Sequence, residues 1–566
     1  MKWQFYRRVF QGVPQINKDN SLANSGWANA TTADLLALGR KLQNLEWRPA
    51  DWWMGTFILM IAAVLRFYAL GSEPLWLDEG YSWWDSSQSF ADIWGLVPQC
   101  DPLPPLYPFM LKIWSTVFGD SSFALRAFSA ATSVVATGFV ILTGREISNR
   151  IGWMAGLVFA TAPFQIEFAH EARPYSLLCL GAAILTFGAI RVFRTGPGRN
   201  LAAYFRGWCA LIAGSLIMLW TNNTAIFGVI SFGLIAAWLL LREQRLRPMI
   251  RPLIVAAIII GILWLPYLPT YLQQAEGIAS DFWIPKPDSW RVGNELRFVV
   301  GLGSFNILWC LTFIWSVGLG LLWWRGHRRE AIVLGGMFIL PVAINFLVSV
   351  TIKPIFIARA FIGIAPAFAI GIAVALAFFK QRRVRVIAVL AVACLQLVPA
   401  WTILTQKDRK EPWDDIAMQM VSDARANGGQ PLVLMVPNEL SLPLNHALEE
   451  AHMSLPISGI PDAFPAPGLT ARYPSGKCTP SVLGQDLGKL KQAVKGHDTV
   501  LFVTRRGNVY DPKDQIQIQL MGLGLRQIGI HEYKPGGLIV HTFVQPGNLF
   551  RGKVASAPAI TSKNTH

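Results

Sequence analysis

Between Trp52 and Leu404 the chain is a succession of apolar runs of about 17–24 residues, each long enough to cross a bilayer as a helix. Hydrocarbon offers the backbone no hydrogen-bond partner, so such runs must satisfy their own N–H and C=O groups, and spanning helices do that. Composition agrees: the chain is 53% hydrophobic and 15% charged, where a soluble chain carries roughly 25% charge. The expected fold class is therefore a polytopic α-helical membrane protein. After Thr405 the runs stop, and charge, Gly and Pro return.

The number of crossings follows from one ambiguous stretch. Residues 104–118 are apolar but short and include Lys112, which suits an interfacial helix. Without it the spans fall at about 53–70, 123–143, 152–168, 174–193, 203–220, 224–241, 252–272, 303–324, 331–350, 356–379 and 386–404. Every second connection is then basic: Arg145/Arg150, Arg191/Arg194/Arg199/Arg206, Arg242/Arg245/Arg247/Arg251, Arg325/Arg328/Arg329 and Lys380/Arg382/Arg383/Arg385. One more crossing would put all of these clusters outside. About 11 transmembrane helices, with a cytoplasmic N-terminus, is the count the positive-inside rule selects. The net charge of +16 is thus topology, and nucleic acid is not expected as a partner because no continuous basic face forms.

Four regions follow. Residues 1–50 are a basic cytoplasmic segment, with 17–32 a linker and 33–45 an amphipathic helix. Residues 51–405 are the membrane domain. Residues 406–546 form an extracytoplasmic soluble α/β domain: 431–436 and 499–504 read as buried strands, 525–533 and 537–544 as a hairpin, and 414–426 as a helix. Residues 547–566 read as a disordered tail. Cys179, Cys209, Cys310 and Cys394 lie in apolar runs and read as small buried hydrophobes. Cys100 and Cys478 would share the oxidising side and could pair, although sequence carries no distance between them.

Three groups of charged residues stand where charge is costly. Asp78-Glu79 follow the first span, between Leu75-Trp76-Leu77 and the aromatics Tyr81, Trp83 and Trp84. An ordinary solvated acidic pair is the bland account. A boundary position with a like charge beside it raises a carboxylate's proton affinity and suits a general base. Glu167, His170, Glu171 and Arg173 close the third span. His170-Glu171 resembles a metal ligand pair, but no second His follows at helical spacing. A divalent metal is therefore unsupported by ligand spacing, and a carboxylate–guanidinium network shaping a pocket is favoured. Lys353 and Arg359 stand between the ninth and tenth spans. Lys353 can snorkel, whereas Arg359 and the similar Arg126 need an anion, either a lipid phosphate or a carboxylate such as Glu167 or Glu171.

Four motifs then occur in order: Trp76-Leu77-Asp78-Glu79, Pro104-Pro105-Leu106-Tyr107, Phe123-Ala124-Leu125-Arg126-Ala127-Phe128-Ser129-Ala130 and Glu171-Ala172-Arg173-Pro174-Tyr175-Ser176-Leu177-Leu178. In these the chain resembles the bacterial C-type (GT-C) glycosyltransferases, relatives of protein O-mannosyltransferases and of the aminoarabinose transferases that modify lipid A. The resemblance covers roughly residues 53–405 and is strongest over 66–180. It implies a GT-C fold in the bacterial inner membrane and a periplasmic site. The implied reaction is inverting transfer of a sugar from a polyprenyl-phosphate-linked donor to a lipid, glycan or protein acceptor. It implies Asp78 as the catalytic carboxylate with Glu79 beside it. Arg359, Lys353, Arg126 and Arg173 would meet the donor phosphate. Tyr81, Tyr107, His170, Glu171 and Tyr175 would line the substrate pocket. Where many relatives carry His before Pro-Pro-Leu-Tyr, this chain has Leu103, so no role passes to that position. The alternatives are a lipid-linked oligosaccharide transporter or flippase, and a surface-polysaccharide polymerase or ligase. A flippase predicts charges near span midpoints and related halves, and neither is visible.

Overall fold

The computed structural model describes residues 49–195, 201–277, 284–301, 303–406, 409–427, 431–472 and 478–546. The expected N-terminal linker and amphipathic helix, and the expected tail, lie outside them. The described residues from Met54 onward form one compact unit.

A helix occupies each of the eleven expected positions. Among the described residues eight helical stretches are individually long and apolar enough to cross a membrane, from Ser122–Ile147 to Arg382–Thr405. Pro49–Phe67 and Leu201–Thr221 fill the first and fifth positions. The chain is a multi-pass membrane protein. The third expected span is not one straight helix: Asn149–Ala160 and Pro163–Ala169 meet at 60°. Pro163 explains the break, since it donates no N–H and disfavours helical geometry at Ala162. The carbonyls freed there need donors, and Arg66 supplies them. Its Nη1 donates to Ala160 O at 2.8 Å and its Nη2 to Phe159 O at 3.4 Å, while its Nε donates to Ser133 Oγ at 2.7 Å. Sequence reading had assigned Arg66 no role. Residues 104–118 do form a short helix, Leu106–Phe118, of 13 residues.

Close packing in the bundle depends on small residues. Tyr175–Thr195 and Leu201–Thr221 approach so tightly that a Cβ on Gly188 would stand 2.5 Å from Leu211 N, and one on Gly214 would stand 2.4 Å from Leu185 N. Backbone approach of this kind is how helices associate where lipid removes the hydrophobic drive. Cys179 is buried as expected. Cys209, Cys310 and Cys394 are exposed on their helices instead, because in a membrane an apolar run has lipid-facing as well as interior positions. At the end of the bundle bearing the basic clusters, acids pair with them: Arg191 with Glu146 at 2.7 Å, Arg194 with Glu330 at 2.9 Å and Arg329 with Glu243 at 2.5 Å.

Beyond the last helix a five-stranded sheet forms: β1 Pro431–Val436, β2 Ile457–Gly459, β3 Thr499–Thr504, β4 Arg526–Tyr533 and β5 Leu538–Val544, in the order β2-β1-β3-β5-β4. β1 runs parallel to β2 and β3, while β5 runs antiparallel to β3 and β4. The three-residue β2 is too short to leave a pattern in sequence. Strand alternation divides the core in two. Leu432, Leu434 and Val436 pack with Phe502 and Phe543 on one face. Val433 and Met435 pack on the other with Leu77, Tyr81, Trp84, Trp413 and Leu442. The second face therefore shares its core with Leu77–Ser87, the helix that begins at Asp78's motif. Gly80 marks the closest approach: a Cβ there would lie 3.0 Å from Pro443 Cδ and 3.1 Å from Pro443 N. A disulfide, Cys100–Cys478, joins the same two regions.

Candidate active site

The motif Trp76-Leu77-Asp78-Glu79 starts a helix, and its two carboxylates part at once. Both sit in the first turn, where the helix dipole favours anions. Their side chains leave that turn in different directions. Glu79 is 0% exposed. Arg126 grips it with Nε to Oε1 at 2.8 Å and Nη2 to Oε2 at 2.6 Å, the two-pronged geometry a guanidinium allows. Lys410 Nζ adds a bond at 3.0 Å and the Ala172 N–H another at 2.8 Å. Burial alone would raise the Glu79 carboxyl, but Arg126 and Lys410 outweigh it and hold it down at about 2. Arg126 spends its remaining donors on the carbonyls of Leu70, Glu73 and Pro74.

Asp78 takes the other direction. Its carboxylate is 30% exposed, and Oδ2 lies 3.3 Å from Nη1 of Arg359, itself 29% exposed. Arg359 stands in the short helical turn Ala358–Ile364 that leads into Ala365–Ala377. The first turn of that element is held by Glu295, which accepts the Ala358 N–H at 2.7 Å. The Arg359 guanidinium also lies over the Tyr175 ring, 5.9 Å from its centroid. Arg173 ties the arrangement to the loop before Leu106–Phe118: its Nη1 donates to Asp78 O at 2.9 Å and to Asp101 Oδ2 at 2.8 Å.

The structure thus brings Asp78, Arg359, Tyr175 and Arg173 together and removes several expected residues from the chemistry. Glu79 is fully buried in a bidentate ion pair with Arg126, which does not fit a catalytic role for Glu79, and the Arg126 guanidinium is committed to Glu79 and to three carbonyls rather than to a phosphate. Arg173 is buried, and its Nη1 is taken by Asp101 and by the Asp78 carbonyl, so that nitrogen serves the local structure rather than a phosphate. Lys353 Nζ donates to the carbonyls of Ala275 and Glu276, tying two connections together. Tyr81 and Tyr107 are core residues rather than pocket lining. The Tyr81 hydroxyl donates to Glu439, and Tyr107 is 1% exposed, with its ring 5.7 Å from that of Phe128. Glu167 pairs with Arg409 at 2.7 Å.

Two cavities are lined by residues of the same motif elements. One is polar and lined by Glu73, Arg126, Glu167, His170, Glu171 and Lys410, among others. Burial lowers His170 to about 4, so its imidazole is neutral at pH 7. Burial raises Glu171 to about 7; Lys410 opposes the shift, and the negative charges of Glu79, Glu167 and Asp78 add to it. The other cavity is apolar and starts beside Arg359 at Ala360. Leu178, Met218, Phe227, Met337 and Phe361 line it. Among the described residues no group of three or more His, Cys, Asp or Glu side chains could hold a metal. Sequence reading missed Asp101, Arg409, Lys410 and Glu411. For Arg409, Lys410 and Glu411 the sequence signal is the return of charge after the last span, while Asp101 stands in the acidic loop after the first span.

The fold is the GT-C fold that the motifs implied. The chain resembles the crystal structure of ArnT from Cupriavidus metallidurans in the apo state, with a TM-score of 0.56 and 16% identity over 88% of this chain and 98% of that one. The same ArnT bound to undecaprenyl phosphate matches with a TM-score of 0.55 and 15% identity over the same shares. An Archaeoglobus fulgidus oligosaccharyltransferase in complex with Zn and sulfate matches at 0.46 and 14%, over 86% and 72%. No protein-family model matches the sequence, and no curated protein does.

Proposed function

We propose that this protein transfers a sugar from a polyprenyl-phosphate-linked donor to an acceptor hydroxyl on a lipid, glycan or protein. The reaction would run at the periplasmic face of the bacterial inner membrane, with inversion at the anomeric carbon. The observation that carries the reading is the half-open pair Asp78–Arg359 at 3.3 Å, a base and a phosphate-binding fork side by side, with Ala360, the residue after Arg359, lining an apolar cavity. The ArnT fold, one example of which is bound to undecaprenyl phosphate, supports it.

In this reading the acceptor O–H gives its proton to an Asp78 carboxylate oxygen. The freed oxygen forms a bond to the anomeric carbon as the bond to the phosphate oxygen breaks. The polyprenyl phosphate leaves with the electron pair, and Arg359 meets its charge. The leaving group is already an anion, so one base suffices, unlike the two carboxylates of glycosidases. A donor phosphate that draws Arg359 toward itself also strips Asp78 of a positive neighbour, which strengthens the base at the moment it is needed.

The test is transfer by the purified protein in liposomes, using a panel of undecaprenyl-phosphate-linked sugars. The wild type releases undecaprenyl phosphate from one of them and Asp78→Asn does not. Full turnover by Asp78→Asn would end the reading. Orientation has its own check. A membrane-impermeant thiol reagent added from the periplasmic side should label Gly507→Cys and miss Gln244→Cys, and the reverse pattern would overturn the proposed topology.

A further inference from the structure

Three consecutive residues just past the last membrane helix converge on the two motif elements of the site. The Arg409 N–H donates to Glu73 Oε1 at 3.0 Å, and its Nη2 donates to Glu167 Oε1 at 2.7 Å. Lys410 Nζ joins Glu79 Oε2 at 3.0 Å to His170 O at 2.9 Å. Glu411 Oε2 accepts the Leu77 N–H at 3.1 Å and the Trp413 indole N–H at 2.8 Å, while its Oε1 takes Arg505 Nη1 at 2.5 Å. Glu411 is 3% exposed, and Gly536 of the β4–β5 turn closes over it so tightly that a Cβ there would lie 2.8 Å from Glu411 Cγ.

Leu77 is the first residue of the helix and immediately precedes Asp78. The first N–H groups of a helix have no partner inside it. Here Glu79 accepts from Trp76 N at 3.4 Å and Glu411 from Leu77 N. The start of Asp78's helix is therefore fixed by a carboxylate more than three hundred residues away in sequence, and Arg505 anchors that carboxylate to the sheet. A base in a helix's first turn held this way keeps its oxygen within reach of one point in space. Misplacement by about 1 Å can cost on the order of a hundredfold in rate.

We propose that Arg409-Lys410-Glu411 is a positioning clamp for the proposed base, with Glu411 the residue through which the C-terminal sheet sets the place of Asp78. It rests on the reading of Asp78 as the base. Glu411 touches neither substrate nor reacting atoms; it acts through the Leu77 N–H.

The experiment measures turnover with the undecaprenyl-phosphate-linked sugar that the wild type uses, and binding of undecaprenyl phosphate itself. For Glu411→Ala the expected result is a kcat lowered roughly ten- to a hundredfold, with KM and undecaprenyl phosphate affinity held within about twofold. Glu411→Gln keeps an oxygen for the Leu77 N–H and should recover most of kcat, whereas Glu411→Met, similar in size but with no acceptor for that N–H, should not, which separates the hydrogen bond from packing. Leu77→Pro guards against misfolding of the Glu411 variant. It deletes the N–H donor and also trades the buried Leu77 side chain for a ring, so Leu77→Ala, which keeps the N–H, measures the packing loss separately; proline suits a helix start, and Trp76 already has the extended backbone that proline requires (φ −87°, ψ 175°). It should lower kcat in the same way, and adding Glu411→Ala to it should cost nothing further. Wild-type kcat in Leu77→Pro, or parallel loss of kcat, affinity and melting temperature in Glu411→Ala without rescue by Gln, overturns the clamp. Turnover by Asp78→Asn would remove the base and the clamp together. An inactive Asp78→Asn beside a fully active Glu411→Ala would remove the clamp alone.

Discussion

Asp78 and Glu79 are neighbours in sequence and alike in chemistry, yet they belong to two different regions. Glu79 lies in a closed knot with Arg126, Lys410 and the Ala172 N–H, bonded at both oxygens and 0% exposed. Asp78 lies at an open rim, paired with Arg359 at 3.3 Å and about one-third exposed. The knot has the features of a structural ion pair: bidentate, desolvated and saturated. The rim has the features of a site: a long contact between two charges whose side chains are each about 30% exposed. The difference teaches that a charge inside a membrane protein is not by itself a functional sign. What separates the two is how many of its bonds are already made.

The largest effect that can break this contrast is on rate. Asp78→Asn should lower transfer by about 10² to 10⁴, the usual worth of a general base, with its melting temperature near wild type because a half-exposed pair contributes little. Glu79→Gln should do the opposite, losing melting temperature before it loses rate. If both variants lose rate alone, the knot is part of the chemistry and the contrast fails.

Next in size is the knot itself. Arg126→Met leaves Glu79 buried with Lys410 as its remaining cation, and breaking a buried pair costs about 3–5 kcal/mol. Denaturation in detergent should register it as a large drop in stability. A variant as stable as wild type would show that the pair is not structural.

Arg359 comes third. Loss of a hydrogen bond to a charged group costs about 1.5–3 kcal/mol, so Arg359→Gln should bind undecaprenyl phosphate roughly ten- to a hundredfold more weakly at little cost in stability. Arg359→Lys should recover only part, since it offers a point charge in place of a planar fork. Unchanged affinity with a lower melting temperature would assign Arg359 to structure.

The smallest effect is in pH and has opposite signs at two glutamates. Glu79 is lowered from 4.5 to about 2, so its contribution to stability is present above 4.5 and is lost as pH falls toward 2. Glu171 is raised from 4.5 to about 7. Between those values the folded chain holds a proton that the unfolded chain has released. That contribution is complete below 4.5 and is lost as pH rises through about 7. The melting temperature of Glu171→Gln relative to wild type should therefore climb between pH 5 and 8, while that of Glu79→Gln should converge on wild type only at acid pH. A flat difference for Glu171→Gln would remove it from the set of perturbed groups.

The sequence by itself determined the membrane bundle, because a bilayer leaves the backbone one way to satisfy its bonds and spanning runs therefore declare themselves. It determined where the helices fall, and it identified four of the five strands, whose apolar runs are bounded by turn residues. It also picked out Asp78 and Arg359, since charges beside apolar runs are rare enough to see. What only the tertiary structure decided is which charges are spent. Nothing in Trp76-Leu77-Asp78-Glu79 says that Glu79 faces Arg126 while Asp78 faces Arg359, because one residue of helix turns a side chain by about 100° and burial depends on what waits there. Nothing in Arg409-Lys410-Glu411 says that it closes on Glu73, Glu79 and Leu77, because those contacts cross more than three hundred residues of chain. Local pattern records the solvent that a segment must live in. Long-range contact decides which polar groups remain available to a ligand, and hydrogen bonds at that range leave no periodicity in the chain.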